Sequence, residues 1–431
     1  MLSNPLRVAV AGLGNVGVGV VKILEKHKEL IADRAGREIV ITTVCARNKN
    51  VDRGIDLSSY EWVDDATQLA DMDNVDIVIE LIGGEDGVAL MSAKNTLNNS
   101  KSFVTANKAM IAHHGCELAD MAQKNDVALR FEAAVAGGIP IIKAIGEGLA
   151  ANELNLVYGI MNGTTNYMLS QMEARGLSYT DILAETEELG YLEADPALDL
   201  DGIDAAHKLA ILSSVAFGTK TDFDNIHIEG IRNIETVDIE YAKELGYRIK
   251  LLGITKYEDG NLSQRVHPVM IDRNLPIAGV MDGFNAIVVD GDFIDRTFYQ
   301  GRGAGEGPTA SAVVADIIDI ARGHKGPAFF KPTEKLVAAN PVSINQRLGE
   351  YYIRLHVQDE AGVIADITAS LTLANVSVKT MLQKGNERDG TVYVIMLTHD
   401  IRETAMKDAL NRINELPSVI ETPLSIRIEK L

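Results

Sequence analysis

Between Gly190 and Lys208 the chain reads Gly190-Tyr191-Leu192-Glu193-Ala194-Asp195-Pro196-Ala197-Leu198-Asp199-Leu200-Asp201-Gly202-Ile203-Asp204-Ala205-Ala206-His207-Lys208, five acids within twelve residues leading into a helical stretch. Asp204 and Lys208 are four apart and share a helix face. A small amino-acid ligand carries an ammonium that needs carboxylates, and a carbonyl under reduction needs a proton donor beside its oxygen. Glu193, Asp199 and Asp204 could meet the first need, Lys208 the second. The plain alternative is that the acids cap and solvate a helix start and that Asp204–Lys208 is an ordinary helix ion pair.

A second chemistry is written near the start. Gly12-Leu13-Gly14-Asn15-Val16-Gly17 follows an apolar run, Arg7 to Ala11, and opens an amphipathic stretch. In that context Gly12 permits a tight turn, Gly14 lets backbone approach a pyrophosphate, and Gly17 allows close helix–strand packing, with Asn15 and Val16 at the helix N-terminus. The next strand ends in Cys45-Ala46-Arg47-Asn48-Lys49, with cations where NAD-selective sites place an acid. Arg47 could pair with a 2′-phosphate and Lys49 could add charge, which favours NADP over NAD; the alternative is that both are solvated loop cations. Lys108, in Thr105-Ala106-Asn107-Lys108, falls at a strand end of the same segment, the edge where open α/β sheets bind ligands, unless it is a plain surface lysine.

The elements that must hold these groups follow from periodicity. Strand-like and helical runs alternate from Arg7 to about Leu149, implying βαβ units and a parallel sheet, hence a dinucleotide-binding domain over residues 1–150. Residues 151–300 read as a mixed α+β domain that carries the acidic cluster. The glycine-rich stretch Gly301 to Gly307 opens an apolar helix, Thr309 to Ala321. Prolines 327, 332 and 341 mark a linker over 324–347. Residues 348–431 give strand, helix, two strands, helix, strand, the ferredoxin-like βαββαβ order, with Met406, Leu410, Ile413 and Leu416 on one helix face.

Sixty-one acids against 41 Lys and Arg give a net charge of −20, which argues against nucleic acid as a partner. Two cysteines, Cys45 and Cys116, make no disulfide framework, no apolar stretch is long enough to span a bilayer, and Met1 to Val10 lacks the pattern of a signal peptide. A cytoplasmic protein with no membrane partner is expected.

The string Gly-Tyr-Leu-Glu-Ala-Asp-Pro through Asp204 and Lys208, with Asn162-Gly-Thr-Thr-Asn166 and Asn107-Lys108 before it, resembles homoserine dehydrogenase from about Val8 to Ala321. The last unit resembles an ACT regulatory domain through Asp359-Glu360-Ala361-Gly362-Val363-Ile364-Ala365. The resemblance implies reversible NAD(P)H-dependent reduction of L-aspartate 4-semialdehyde to L-homoserine, a step toward threonine, methionine and isoleucine. It makes Lys208 the general acid/base, sets Lys108 between cofactor and substrate, and gives Glu193, Asp204 and, less directly, Asp199 to the substrate. It adds Gly190, Gly303 and Gly305 to the cofactor contacts, has the chain return to the dinucleotide-binding domain at about 301–323, and makes residues 151–300 the substrate-binding and dimerisation domain. It implies a monovalent cation, usually sodium, held mainly by main-chain carbonyls at Glu132, Val135, Gly137 and Ile139. It also implies threonine as an effector of the ACT unit and a homodimer or homotetramer. Thr186 and Leu192 depart from the small residues usual in the family and put local backbone placement in question.

Two other readings stay open. An acylating aldehyde dehydrogenase would need a thiolate, and neither Cys45 nor Cys116 is well placed for one. A non-catalytic sensor of nucleotide and amino acid is the other, disfavoured by the joint presence of Lys108, Glu193, Asp204 and Lys208.

Overall fold

The computed structural model describes residues 4–190, 195–386 and 390–431. Its N-terminal part is a six-stranded parallel sheet: β1 (Leu6–Ala11), β2 (Ile39–Cys45), β3 (Glu61–Val63), β4 (Ile77–Glu80), β5 (Ser102–Thr105) and β6 (Leu129–Arg130), ordered β3-β2-β1-β4-β5-β6. The strand order reverses beside β1, and a crevice at that switch point is where such sheets take nucleotides. Val8, Val10, Ile77 and Ile79 are fully buried because both faces of a parallel sheet are covered by helices. One cover is the helix Glu306–Ala321, the returning chain, whose Ala310, Val313 and Ile317 share a core with Val20 and Leu24 of the helix Asn15–Lys26.

The second part is antiparallel. Strands Asp295–Arg302, Phe284–Gly291, Leu154–Ile160, Tyr247–Glu258 and Asn261–Asp272 lie side by side in that order. The long hairpin turns at Asp259 and Gly260, both in the left-handed region, as the Glu258-Asp259-Gly260 turn signal requires. Helices Gly163–Arg175 and Ile203–Phe217 pack on this sheet. The edge strand Asp295–Arg302 was not expected, since its residues are mostly exposed and polar and carry no buried face.

The last part has the expected order: strand Tyr351–Gln358, helix Val363–Leu373, strands Val378–Asn386 and Thr391–Thr398, helix Glu403–Asn414 and strand Leu424–Ile428. Met406 and Ile413 are fully buried, with Leu410 and Leu416 packed against the same core. Its sheet is not isolated. Leu424–Ile428 pairs antiparallel with Tyr351–Gln358 on one side and parallel with Asn261–Asp272 on the other, where Val269 meets Arg427 and Met270 meets Ile428. One continuous sheet therefore runs from the antiparallel middle part into the C-terminal unit. The proline-rich connection is docked along its length: Phe329 is buried against the Phe131 ring at 5.2 Å, and Asn340–Pro341 pairs with Asn261 and Leu262. Among the described residues, no helix is long and apolar enough to cross a membrane.

Candidate active site

The glycine turn after β1 is shaped by close approaches. A Cβ on Gly12, whose φ is +98°, would lie 2.4 Å from the Leu81 carbonyl oxygen, and one on Gly17 would lie 2.0 Å from the Gly12 carbonyl oxygen. Gly14 instead faces open space, leaving the helix N-terminus at Asn15 and Val16 free to meet an anion. A cavity of about 760 Å³ opens here, lined by Gly12, Leu13 and Gly14, by Ala46 and Arg47 at the end of β2, by Arg53, and by Leu81 and Ile82 after β4. Arg47 thus stands on the cavity. Lys49 is not among its lining residues; its ammonium lies 5.9 Å from the Trp62 ring centroid. The second cation on the cavity is Arg53, which donates to the carbonyls of Leu13, Val51 and Asn48 and covers the same ring at 5.5 Å.

Glu80, buried at the end of β4, organises the floor. Its carboxylate accepts from the amides of Ile82 and Gly83 and, at 2.6 Å, from the Thr105 hydroxyl. Thr105 Oγ1 in turn accepts from the Asn107 amide, and the Asn107 side chain donates to the Gly84 carbonyl while accepting from the Met110 amide. Asn107 is thereby the N-cap of the helix Lys108–Lys124, and Lys108, expected at a strand end, is the first residue of that helix.

Lys108 points out of the nucleotide-binding domain to Asp204, its Nζ 2.6 Å from Oδ1. The other oxygen of Asp204 takes Lys208 Nζ at 2.7 Å and Asn162 Nδ2 at 2.9 Å. Asn162 Nδ2 also donates to Asp199 Oδ1 at 2.7 Å, and Lys208 donates to the Met161 carbonyl at 2.8 Å. Asp199, Asp204 and Lys208 are all buried. Burial opposes the charge on Asp204, but the Lys208 and Lys108 ammoniums outweigh it and hold the carboxyl well below the ordinary range. The result is an ionised acid between two lysines, one from each domain. A lysine fixed beside a buried carboxylate can hand a proton to a forming alkoxide.

Glu193 and Leu192 lie outside the described residues. Gly190, with φ +69°, is exposed at the end of the preceding segment. Thr186 is accommodated inside the helix Tyr179–Glu188, its hydroxyl donating to the Ile182 carbonyl at 2.6 Å. Gly303 is buried: a Cβ there would strike the Asn285 side chain at 2.1 Å, and a Cβ on Gly137 would lie 2.6 Å from the Gly303 carbonyl oxygen. This pair of close approaches seats the returning chain against the Glu132–Ile139 turn. Gly305, φ +113°, is exposed just before the helix Glu306–Ala321.

The sequence from residue 140 to 318 matches the homoserine dehydrogenase family, and residues 12–132 match the homoserine dehydrogenase NAD-binding domain. A homoserine dehydrogenase of Neisseria gonorrhoeae is 42% identical, with 99% of each chain covered. The chain belongs to the homoserine dehydrogenase family. A homoserine dehydrogenase of Helicobacter pylori is 43% identical over 99% of this chain and 100% of its own. The solved structure of the Thiobacillus denitrificans homoserine dehydrogenase superposes with a TM-score of 0.92 at 40% identity, covering 99% of this chain and 98% of that one.

As a homoserine dehydrogenase the protein is an oxidoreductase with an NAD(P)-binding domain. The thiol alternative has no footing at the cluster. Cys45 lines the nucleotide cavity with its thiol pushed up to about 11, chiefly by burial, and Cys116 Sγ accepts from the Thr221 amide. Sequence reasoning gave no role to Asn162, which joins Asp199 to Asp204, and missed Glu80 as the floor of the cleft and Arg53 as the second cavity cation. Glu80 carried a signal, an acid ending the apolar run Ile77-Val78-Ile79. Arg53, four residues past Lys49, carried none.

Proposed function

We propose that the protein catalyses the reversible reduction of L-aspartate 4-semialdehyde to L-homoserine in the cytoplasm, on the route to threonine, methionine and isoleucine, with NADP preferred over NAD. The observation that carries this is Asp204 bridging Lys108 and Lys208. The bound dinucleotide supplies or accepts the hydride. Lys208 donates the proton to the carbonyl oxygen in reduction and takes it back in oxidation. Asp204 and Asp199, joined by Asn162, hold the substrate ammonium together with Glu193, and Lys108 orients the reacting end beside the cofactor. Arg47 on the cavity wall supports the NADP preference. Purified protein with homoserine and either NADP or NAD, followed by nicotinamide absorbance, tests the reading: a homoserine-dependent rise, faster with NADP, is expected, and no rise with either cofactor overturns it.

The Glu132–Ile139 turn suits a monovalent cation through its main chain. The Glu132 carboxylate is already taken, accepting from the amides of Ile142 and Lys143 at 2.9 Å each. The carbonyls of Glu132 and Ile139 each accept one backbone amide and keep a second lone pair, while Ala136 and Gly137 turn the chain in the left-handed region. With the carbonyls of Val135 and Gly137 this gives neutral oxygen donors, the set a hard cation such as sodium prefers. Thermal unfolding in sodium chloride against choline chloride at equal ionic strength checks it: a higher midpoint in sodium is expected.

For the C-terminal unit we take the reading of an ACT domain that passes threonine feedback to the enzyme. Its βαββαβ order, the turn from Asp359 into the helix at Val363, and the left-handed Gly362 and Asn375 support this. The assembly that goes with it is a homodimer or homotetramer, decided by sedimentation equilibrium.

A further inference from the structure

One group of side chains beside the cluster has no part in the reaction above. Glu85 sits on the loop after β4, His113 on the helix Lys108–Lys124 and His207 on the helix Ile203–Phe217, one residue before Lys208. One potential ligand atom from each lies within 4.8 Å of those of the other two. We propose that Glu85, His113 and His207 form a site for one divalent transition-metal ion of the zinc class, whose occupancy inhibits the enzyme.

The donor set and its support both fit. Two imidazoles and one carboxylate suit zinc, cobalt or nickel and disfavour magnesium and calcium, which want oxygen donors alone. Zinc bonds of about 2.0–2.2 Å at a tetrahedral angle put neighbouring donors about 3.3 Å apart. His113 Nε2 and Glu85 Oε2 stand 3.4 Å apart. Three protein ligands leave one position for water.

Each ligand is also held from behind. The His207 ring stacks on Phe223 with centroids 4.5 Å apart, and His113 meets the same ring at 4.7 Å. Next to Glu85, Asp86 lies 2.9 Å from His114 Nε2, which fixes the loop to the helix. Burial, then the neighbouring His113, pushes His207 down to about 4, so the imidazole is neutral and available as a ligand at neutral pH. An ion here ties the β4 loop of the nucleotide-binding domain to the catalytic helix beside Lys208. That restrains the loop after β4 against the helix that carries Asp204 and Lys208.

Cobalt titration of the full-length protein gives a direct readout, because histidine-ligated Co(II) absorbs in the visible region. One Co(II) per chain is expected, displaced by Zn(II) and untouched by excess Mg(II), with dehydrogenase activity falling as the site fills. His113→Ala and Glu85→Gln should each weaken binding at least about tenfold, and His113→Ala should keep its activity across the same titration. Glu85 is exposed, so the second variant leaves packing intact. No visible band with the wild type, equal binding by both variants, or a band lost in Cys116→Ser instead overturns the assignment.

Discussion

Lys108 opens its helix with Nζ 2.6 Å from Oδ1 of Asp204, so the two domains meet through an ion pair whose acid is wholly buried. The residue that would otherwise be a surface lysine at a sheet edge is instead fixed by the Asn107 cap, and the acid it meets is fixed by Asn162 and Lys208. Charge, position and hydrogen bonding at the reacting end are set jointly by three segments far apart in sequence.

Removing the proposed proton donor should leave this frame standing. Lys208→Ala keeps the Lys108–Asp204 pair, so folding is expected to survive while kcat falls by about 100-fold or more, the usual share of positioned acid/base groups. Turnover within about tenfold of wild type would remove Lys208 from that role.

Asp204→Asn takes away the charge between two lysines. A broken buried pair costs about 3–5 kcal/mol, and chemical denaturation at pH 7 should show a loss of that order. The sign with pH follows from the depressed carboxyl: its stabilisation is complete above the unfolded value of about 3.9 and is lost as pH falls toward the lower folded value. The gap between wild type and variant should therefore be widest near neutrality and close in acid. A gap independent of pH would mean that the lysines are not what Asp204 stabilises.

Cofactor choice separates the two arginines on the cavity. Arg47→Ala should raise KM for NADP roughly 10- to 100-fold, the worth of a hydrogen bond to a charged group, and leave KM for NAD unchanged. Arg53 holds the Leu13, Val51 and Asn48 carbonyls, so Arg53→Ala should weaken both cofactors together. Lys49→Ala, with its ammonium over Trp62, should change neither appreciably.

Arg427 offers a route between the C-terminal unit and the substrate site. Its guanidinium is buried between Glu229, at 2.6 Å, and Glu403, at 2.5 Å. Two residues past Glu229 the Ile231 amide donates to the Leu200 carbonyl, next to Asp199, and a Cβ on the intervening Gly230 would lie 2.1 Å from that same oxygen. Arg427→Met should lower stability by about 3–5 kcal/mol by stranding two acids, and, if threonine inhibits the wild type as proposed, should blunt that inhibition while turnover without threonine persists. Inhibition identical to wild type would show that the signal travels elsewhere.

What could be read in advance was what short-range pattern encodes. The Gly12–Gly17 turn, the strand at Ile39–Cys45 and the helix face of Met406 and Ile413 follow from local spacing and stand where expected. Asp204 and Lys208 were legible as a pair because four residues separate them on one helix. Lys108 was legible as a candidate, but its partner was not, since only tertiary packing brings the two helices together. The same holds for Glu85, His113 and His207, drawn from three segments. Asp295–Arg302 escaped because a solvated edge strand buries no stripe, and the joining of Leu424–Ile428 to Asn261–Asp272 escaped because strand pairing at that separation leaves no local trace.

That joining shapes how the chain is made. One edge of Asn261–Asp272 is filled piecemeal, by His227–Ile228, by Asn340–Pro341 and, at Val269 and Met270, by Arg427 and Ile428. During synthesis the stretch around Val269 leaves the ribosome long before its partner does, and through that interval it is an apolar strand with open backbone donors and acceptors. The nascent enzyme is thus exposed to mispairing until the final strand arrives, and a deletion of only Leu424–Ile428 leaves the antiparallel middle part, not just the C-terminal unit, with a sticky edge.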